Sequence, residues 1–489
     1  MPFMFIQGEN VMRKITIAKE NISPTNNGVF EGWGTSLCWW ANRVGFSEKL
    51  TKDSGRLFFS KDGLGINIMR YNIGGGDDPT HKHIRRTDSE MPGWWKYDEE
   101  KKEFIFNSDT DRNQLAVLKE AYKASGDDAY VEAFSNSPPY YMTVSGCTSG
   151  GKNPLSNNLK KSQIVPFAQY LANVCDYIEK NHNVRIKSLA AMNEPFTNYW
   201  RYFSEKQEGC HVSPGKMQSD ILIATAKALR ERNLDDITVT ATDETNTKRQ
   251  LKALRKLSDE ALSVVGRVST HTYEKATAGV GKLAREKGKN IWMSETDWSS
   301  ESGENAGEMG PALWLSEKII EDMNTISPSA WVIWQIVAAY ISRVPDSEGR
   351  LDMPGLPDLT KGFWGTAFAD IDNEEIYLTQ KYYAFGQFSR YIRPGMTIVH
   401  TDKKSLGAYD KDTGRLVLVC INTKEKSEEI TVDFKQFLKC ECKIKPVRTS
   451  GSLSDGEHWA ELGSFISQEG EFVYILKGNS VTTFIIDKI

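Results

Sequence analysis

A chain of 489 residues with 61 Lys and Arg, 65 Asp and Glu and a net charge of −4 offers no basic surface that would point to nucleic acid as a partner. Its hydrophobic fraction of 39% and charged fraction of 26% are those of an ordinary globular protein, long enough for one large domain and a smaller one. No run of about 18 apolar residues exists to span a membrane.

The chain starts MPFMFIQGEN, an apolar opening with no basic region before it that meets Gln7, Glu9 and Asn10 too early for a signal-peptide core. The expected location is therefore cytoplasmic, or outside the cell if a leader has been removed. Residues 14–21, KITIAKEN, alternate polar and apolar side chains and read as a strand with one wet face. A turn-rich stretch separates it from the next strand. It is expected to sit outside the main domain, with residues 1–28 joining a β-domain at the other end of the chain.

From residue 29 one pattern recurs: apolar strand, polar or aromatic strand end, amphipathic helix. Strands are expected at 29–35, 65–72, 129–135, 186–192, 237–242, 266–272, 290–294 and 330–335. Helices are expected at 112–124, 162–181, 213–232, 248–257 and 312–323. Eight such units in succession predict an α/β fold, a (β/α)8 TIM barrel over 29–385. Two doubly wound domains fit less well, because no glycine-rich fingerprint opens a helix after the first strand. The longest connection, 74–111, carries Trp94, Trp95 and Tyr97 and is too long for a plain connector. It is expected either to fold over the barrel mouth or to pack on itself as an Ω-loop. Past 384 the texture becomes short alternating segments between turns, which predicts an attached antiparallel β-sandwich over 386–489. Seven cysteines, an odd number, are scattered and read as reduced thiols. Cys440 and Cys442 are the close pair, but C-x-C without a second half is a weak metal signal.

The strand ends hold the chemistry. The fourth runs into Asn193-Glu194-Pro195, and Pro195 forces the backbone out of the sheet, so that Glu194 is presented at a strand end. The seventh, NIWMSE, ends at Glu295. At roughly 30 residues per barrel repeat the two glutamates lie about three repeats apart and can face each other across the mouth. Paired carboxylates across a cleft suggest glycoside hydrolysis. Thirteen Trp and 18 Tyr supply flat faces suited to sugar rings, although most such residues serve as core.

At this point a resemblance becomes specific. WGTSLCWW, NIGGGD, FSNSPPYYMT, MNEP, QEGC, HTY and MSETDW, in that order along the chain, resemble glycoside hydrolase family 30, and most closely its β-1,6-galactanase branch. The resemblance implies a barrel with a β-sandwich built from both termini. It also implies retaining hydrolysis, with Glu194 as acid/base and Glu295 as nucleophile. Chemically, Glu295 must be ionised, with Arg70 and Tyr273 the candidates to donate hydrogen bonds and hold its pKa down, while Glu194 starts protonated. By the resemblance Asn193 bonds the sugar 2-hydroxyl, Trp334 floors the subsite, and His271 and Asp77 are site positions. Asn136 stands where glucose- and xylose-directed relatives tend to carry an aromatic residue, which suggests room for an axial 4-hydroxyl. Asp243, Glu244, Asp297 and Glu301 add acids near the mouth without metal-loop spacing, so no metal and no cofactor are expected.

The expected protein is thus a hydrolase of β-1,6-linked galactose chains, whether arabinogalactan side chains or galacto-oligosaccharides. Alternatives are another activity of the same family (β-1,6-glucanase, β-glucosidase or xylanase), a barrel that binds carbohydrate without cleaving it, and a metal-dependent lyase or isomerase using Glu194, Asp243 and His271. Endo or exo action and oligomeric state have no signal in these motifs.

Overall fold

The computed structural model describes residues 12–298, 307–353, 355 and 363–489. Strands Gly32–Ser36, Ile68–Asn72, Tyr130–Phe134, Ile186–Ala190, Thr238–Glu244, Val265–His271, Asn290–Glu295 and Ala330–Gln335 close into a barrel in chain order, the last pairing with the first. All are parallel. This is the expected (β/α)8 barrel. Helices such as Arg112–Ser125, Ile164–His182, Lys216–Arg230 and Met309–Ile326 bury their apolar stripes against its outer face. Because both faces of a parallel strand are covered, Ala330–Gln335 (AWVIWQ) is buried at every position. The first strand begins later than expected, since Phe30 N–H bonds to Met396 and Glu31 N–H to Ser329 before the barrel ladder starts.

Period-two alternation stacks the inward side chains in layers. Ile68, Arg70 and Asn72 lie in register with Tyr130, Glu132 and Phe134 on the next strand. At the floor Ile68, Trp292, Ala330 and Val332 form an apolar plug with Tyr130 packed on it. Gly34 makes room for it, as a Cβ there would meet Val332 and Ile68 at under 3 Å. Above the plug the layer is charged: Arg267 lies over the Trp292 ring at 3.4 Å and pairs with buried Glu132, which also meets Arg70 at 3.2 Å. Polarity thus rises from floor to mouth.

The β-structure outside the barrel includes two packed sheets that form a sandwich. One runs Thr397–His400, Ser405–Tyr409, Leu416–Asn422, Ser480–Lys488, Cys442–Ser450 and Glu457–Glu461 in spatial order. The other is Arg13–Thr16, Glu428–Asp433 and Glu471–Leu476. Their shared core includes Ile15, Leu418, Val432, Ile444 and Phe484. The N-terminal strand pairs with Glu428–Asp433 in parallel, Arg13 opposite Ile430, in a sandwich whose other neighbouring strands run antiparallel. Arg13 then clamps Asp402 through two bonds of 2.6 and 2.9 Å and Glu428 through one of 3.1 Å.

Connection 74–111 contains a hairpin, Trp95–Asp98 with Glu103–Phe106. Its tryptophans are packing residues, while Tyr97 is exposed: Trp94 is buried against Phe106 and Tyr177, and Trp95 sits edge-on to Tyr170. Residues 86–88 are the part that reaches the cleft at the mouth. Cys38, Cys147, Cys175, Cys210, Cys420, Cys440 and Cys442 are all free thiols. Among the described residues no helix is long and apolar enough to cross a membrane.

Because Arg13 ties the first strand to both partners from a largely buried position, Arg13→Ala is expected to cost about 2 kcal/mol, between the values for exposed and buried ion pairs. The check is a lower urea midpoint for the sandwich.

Candidate functional site

The fourth strand stops at Ala190, and the chain turns so that Glu194 adopts a left-handed backbone, φ 46°, a conformation non-glycine residues take where surrounding contacts enforce it. Here Glu194 N–H donates to the Asp243 carbonyl at 2.8 Å, and Trp200 Nε1 donates to the Glu194 carbonyl at 3.0 Å. Glu295 is the last residue of the seventh strand. One ligand atom each from Glu194, His271 and Glu295 lie within 4.8 Å of one another, so the two carboxylates share one small space at the barrel mouth.

What holds them is a buried ion network. Arg70 Nη1 donates to Glu295 Oε2 at 2.8 Å, Nη2 to Asp243 Oδ2 at 2.6 Å and Nε to Glu132 Oε1 at 3.2 Å, with no part of the guanidinium exposed. His271 Nε2 faces Asp243 Oδ1 at 3.2 Å, and its Nδ1 lies 3.2 Å from Glu194 Oε1 and 3.4 Å from Glu295 Oε1. Tyr273 donates to Glu295 Oε1 at 2.9 Å, Ser294 to Asp243 Oδ1 at 2.6 Å, and the Tyr199 hydroxyl to Glu194 Oε2.

Burial opposes charge on every member, and the neighbours decide the outcome. Burial works against the charged His271 ring, but Glu295 and Asp243 outweigh it and raise its pKa to about 10. Burial likewise opposes ionisation of Asp243, yet Arg70 and His271 hold it well below the usual carboxylate range. Glu295 differs from expectation. Arg70 and Tyr273 do bond it, but burial is the largest influence and raises its pKa, with His271 and Arg70 opposing. Glu194, His271 and Glu295 are also within metal-ligand spacing; a divalent cation there would have to displace a proton from His271 and sit against the Arg70 cation, so this donor set fits a proton-handling site better.

The cleft above is about 1090 Å³. Asn193, Glu194, Tyr273, Glu295 and Trp334 line it, with Arg70 and His271 directly beneath the carboxylates. Trp334 meets Trp39 edge-on at 5.1 Å, and Trp364 lies 5.9 Å from Tyr273. Among the cleft residues, the buried amide oxygens of Asn193 and Gln335 have no partner, the pattern expected of a wall that meets hydroxyl groups.

Two expected residues lie elsewhere. Asp77 faces away from the cleft lining: Thr148 N–H takes its Oδ1 at 3.0 Å and His81 its Oδ2 at 3.1 Å. Asn136 is buried below the cleft surface, its amide nitrogen 3.4 Å from Asn72 Oδ1 and 3.5 Å from Cys38 Sγ. The further acids have separate partners. Asp243 pairs with Arg70, Asp297 with Lys381 and Gly365 N–H, and Glu244 accepts from Phe196 N–H and Gln218 while burial pushes it up to about 8. Glu301 lies outside the described residues. Tyr199, Trp39 and Trp364 are cleft residues that sequence reasoning did not single out. Tyr199 stands five residues after Glu194 and Trp39 within WGTSLCWW, whereas Trp364 has no signal in its neighbourhood.

A parallel barrel with a carboxylate pair at its C-terminal mouth and an aromatic-walled cleft defines the class of barrel glycosidases. The chain is similar to glycoside hydrolase family 30: residues 14–256 match the family model described as O-glycosyl hydrolase family 30. It is 28% identical to an endo-beta-1,6-galactanase of Hypocrea rufa, over 95% of this chain and 93% of that one. To an exo-beta-1,6-galactobiohydrolase of Bifidobacterium longum it is 27% identical, over 70% of this chain and 28% of that longer protein. The catalytic domain of the family-30 xylanase C from Talaromyces cellulolyticus superposes with a TM-score of 0.71 over 97% of this chain, at 16% identity, a likeness of fold.

The His271 pKa carries a stability signature. Raised from 6.5 in the unfolded chain to about 10, its contribution is fully present below pH 6.5 and lost as pH climbs toward 10. Urea midpoints across that window are expected to fall further for the wild type than for His271→Gln.

Proposed function

We propose that the protein is a retaining glycoside hydrolase that cleaves β-1,6-linked galactose chains by double displacement, with Glu295 as nucleophile and Glu194 as acid/base. The observation that carries the mechanism is the carboxylate spacing. One oxygen of each lies within 4.8 Å of the other, nearer the separation of about 5–5.5 Å typical of retaining sites than the roughly 6.5–9.5 Å with which an inverting site makes room for water.

The charge count supports the roles. Arg70, Arg267 and His271 give three buried cations; Glu132, Asp243 and Glu295 give three buried anions. A proton on Glu194 keeps the site neutral in the resting enzyme. In the first step Glu295 attacks the anomeric carbon while Glu194 gives its proton to the departing glycosidic oxygen. In the second, Glu194 takes a proton from water, which attacks the same carbon and releases Glu295. Tyr273 and Arg70, bonded to different oxygens of Glu295, hold its attack geometry. Asn193 Oδ1, buried and unpaired, accepts from the sugar 2-hydroxyl. Trp334 floors the subsite. No step needs a cofactor.

The galactan reading rests on the two curated relatives, both β-1,6-galactan-directed by name, and a β-1,6-glucanase or xylanase is the competing reading within the family. Digests of β-1,6-galactan, β-1,6-glucan and glucuronoxylan distinguish them. Short galacto-oligosaccharides are expected from the first and are expected to vanish with Glu295→Gln; turnover confined to glucan or xylan would overturn the substrate. Proton NMR during hydrolysis is expected to show the β-anomer appearing first, and first appearance of the α-anomer would overturn retention.

Burial also predicts the acid limb of the pH profile. Glu295 must be ionised to attack, so kcat/KM should fall as pH drops through a pKa above its ordinary 4.5.

A further inference from the structure

Away from the glycosidase site, Asp77, His81, His83 and Cys147 converge, one ligand atom from each lying within 4.8 Å of all the others. The individual gaps have the size of the edges of a metal-centred tetrahedron built on bonds of about 2.0–2.3 Å. His81 Nδ1 is 3.1 Å and His83 Nδ1 3.6 Å from Asp77 Oδ2. Cys147 Sγ is 3.7 Å from that same oxygen; its 3.7 Å approach to Nε2 is to the far side of the His83 ring and is not one of these edges. The Asp77 oxygen turned into the cluster is Oδ2, because Oδ1 is occupied by Thr148 N–H.

An independent observation marks the same point. The His83 side chain is only 8% exposed, and its Nδ1 is buried without a hydrogen-bond partner, which is costly unless something fills the space. Its other nitrogen meets Ser149 Oγ at 3.1 Å, the outer contact that fixes ring orientation in metal-bound histidines.

We propose that these four side chains bind a structural Zn²⁺ ion. The donor set of one thiolate, two imidazoles and one carboxylate is tetrahedral and borderline-soft, as zinc prefers, and four protein donors close the site and leave no open position for chemistry. The sequence-based expectation of no metal rested on the acids near the mouth and on local spacing. Cys147 joins the His-x-His pair from 64 residues further on, so spacing does not reveal it.

The site ties together three segments that shape the cleft. His81 and His83 precede Arg86, Thr87 and Asp88, which line it. Phe203 packs at a tilt against both imidazoles at 4.7 and 4.6 Å and belongs to the segment carrying Tyr199 and Lys206 to the same cleft. Cys147 brings in the third segment. The ion therefore sets the cleft wall and leaves the carboxylate pair to the barrel.

The test uses the whole chain, stripped with a strong chelator and titrated with Co²⁺ as the spectroscopic stand-in for zinc. One equivalent is expected to produce a thiolate-to-cobalt charge-transfer band, to be displaced by one equivalent of Zn²⁺, and to be lost in Cys147→Ser but kept when Cys440 and Cys442 are both changed to Ser. Should Cys147→Ser misfold by circular dichroism, His81→Gln, at a partly exposed position, is expected to weaken Co²⁺ binding at least ~10-fold. Stripping should raise KM more than it lowers kcat on whichever glycoside is turned over. No band in the wild type, a band that survives Cys147→Ser, or unchanged affinity in His81→Gln would overturn the proposal.

Discussion

One guanidinium organises the molecule. Arg70, fully buried inside the barrel, bonds Glu132, Asp243 and Glu295 with its three nitrogens. The planar fork satisfies three carboxylates from three different strands at once, which a lysine cannot do. Taking any one of these ions out of water costs several kcal/mol, and the cost is offset only when every partner is in place. The barrel must therefore close in the correct register for the network to exist. Closure in turn holds Glu295 and, through His271, Glu194 at fixed separation. Stability and the geometry of the site are the same set of bonds.

The network works because the layers beneath it are dry. Trp292, Val332 and Ile68 seal the floor, so the charges above sit in a low-dielectric shaft open at one end. Low dielectric strengthens each pairing and also makes ionisation sensitive to small changes in charge. This is why burial dominates Glu295 even with Arg70 against it.

Around this fixed centre the cleft is assembled from loops. Glu208, buried in the QEGC stretch, accepts from Gly75 N–H at 3.1 Å and Gly76 N–H at 3.2 Å, joining the segment after Glu194 to the one after Arg70. Close packing there demands glycine: a Cβ on Gly76 would meet the Gly93 backbone at 2.4 Å, and φ at Gly76 is +69°. The same two segments meet again where Phe203 packs on His81 and His83, and Cys147 brings in the loop after the third strand. Rigid strands supply the chemistry and cross-tied loops supply the shape, so the two can vary separately.

The barrel, the sandwich and the two glutamates were legible in the sequence because each is a local pattern: strand periodicity, a proline that ends a strand, a carboxylate in a fixed aromatic setting. Arg70 and Tyr273 could be named as partners of Glu295 because they too end strands facing the mouth. What local pattern does not contain is direction. Asp77 and Trp94 sit in a long connection, and only the folded chain turns the first toward His81 and the second into the core. Asn136 ends a strand as expected yet lies beneath the cleft, since the depth of a layer depends on what neighbouring strands place above it. Cys147 could not be joined to His83, nor Tyr199 assigned to Glu194, because those pairings come from loops brought together in space. The alternation of side chains along a strand is local, so the sequence by itself determined the architecture and the carboxylate pair at the mouth. Contacts between distant segments depend on the closed barrel, so the partners, the burial that sets each charge and the second cluster were decided by the tertiary structure.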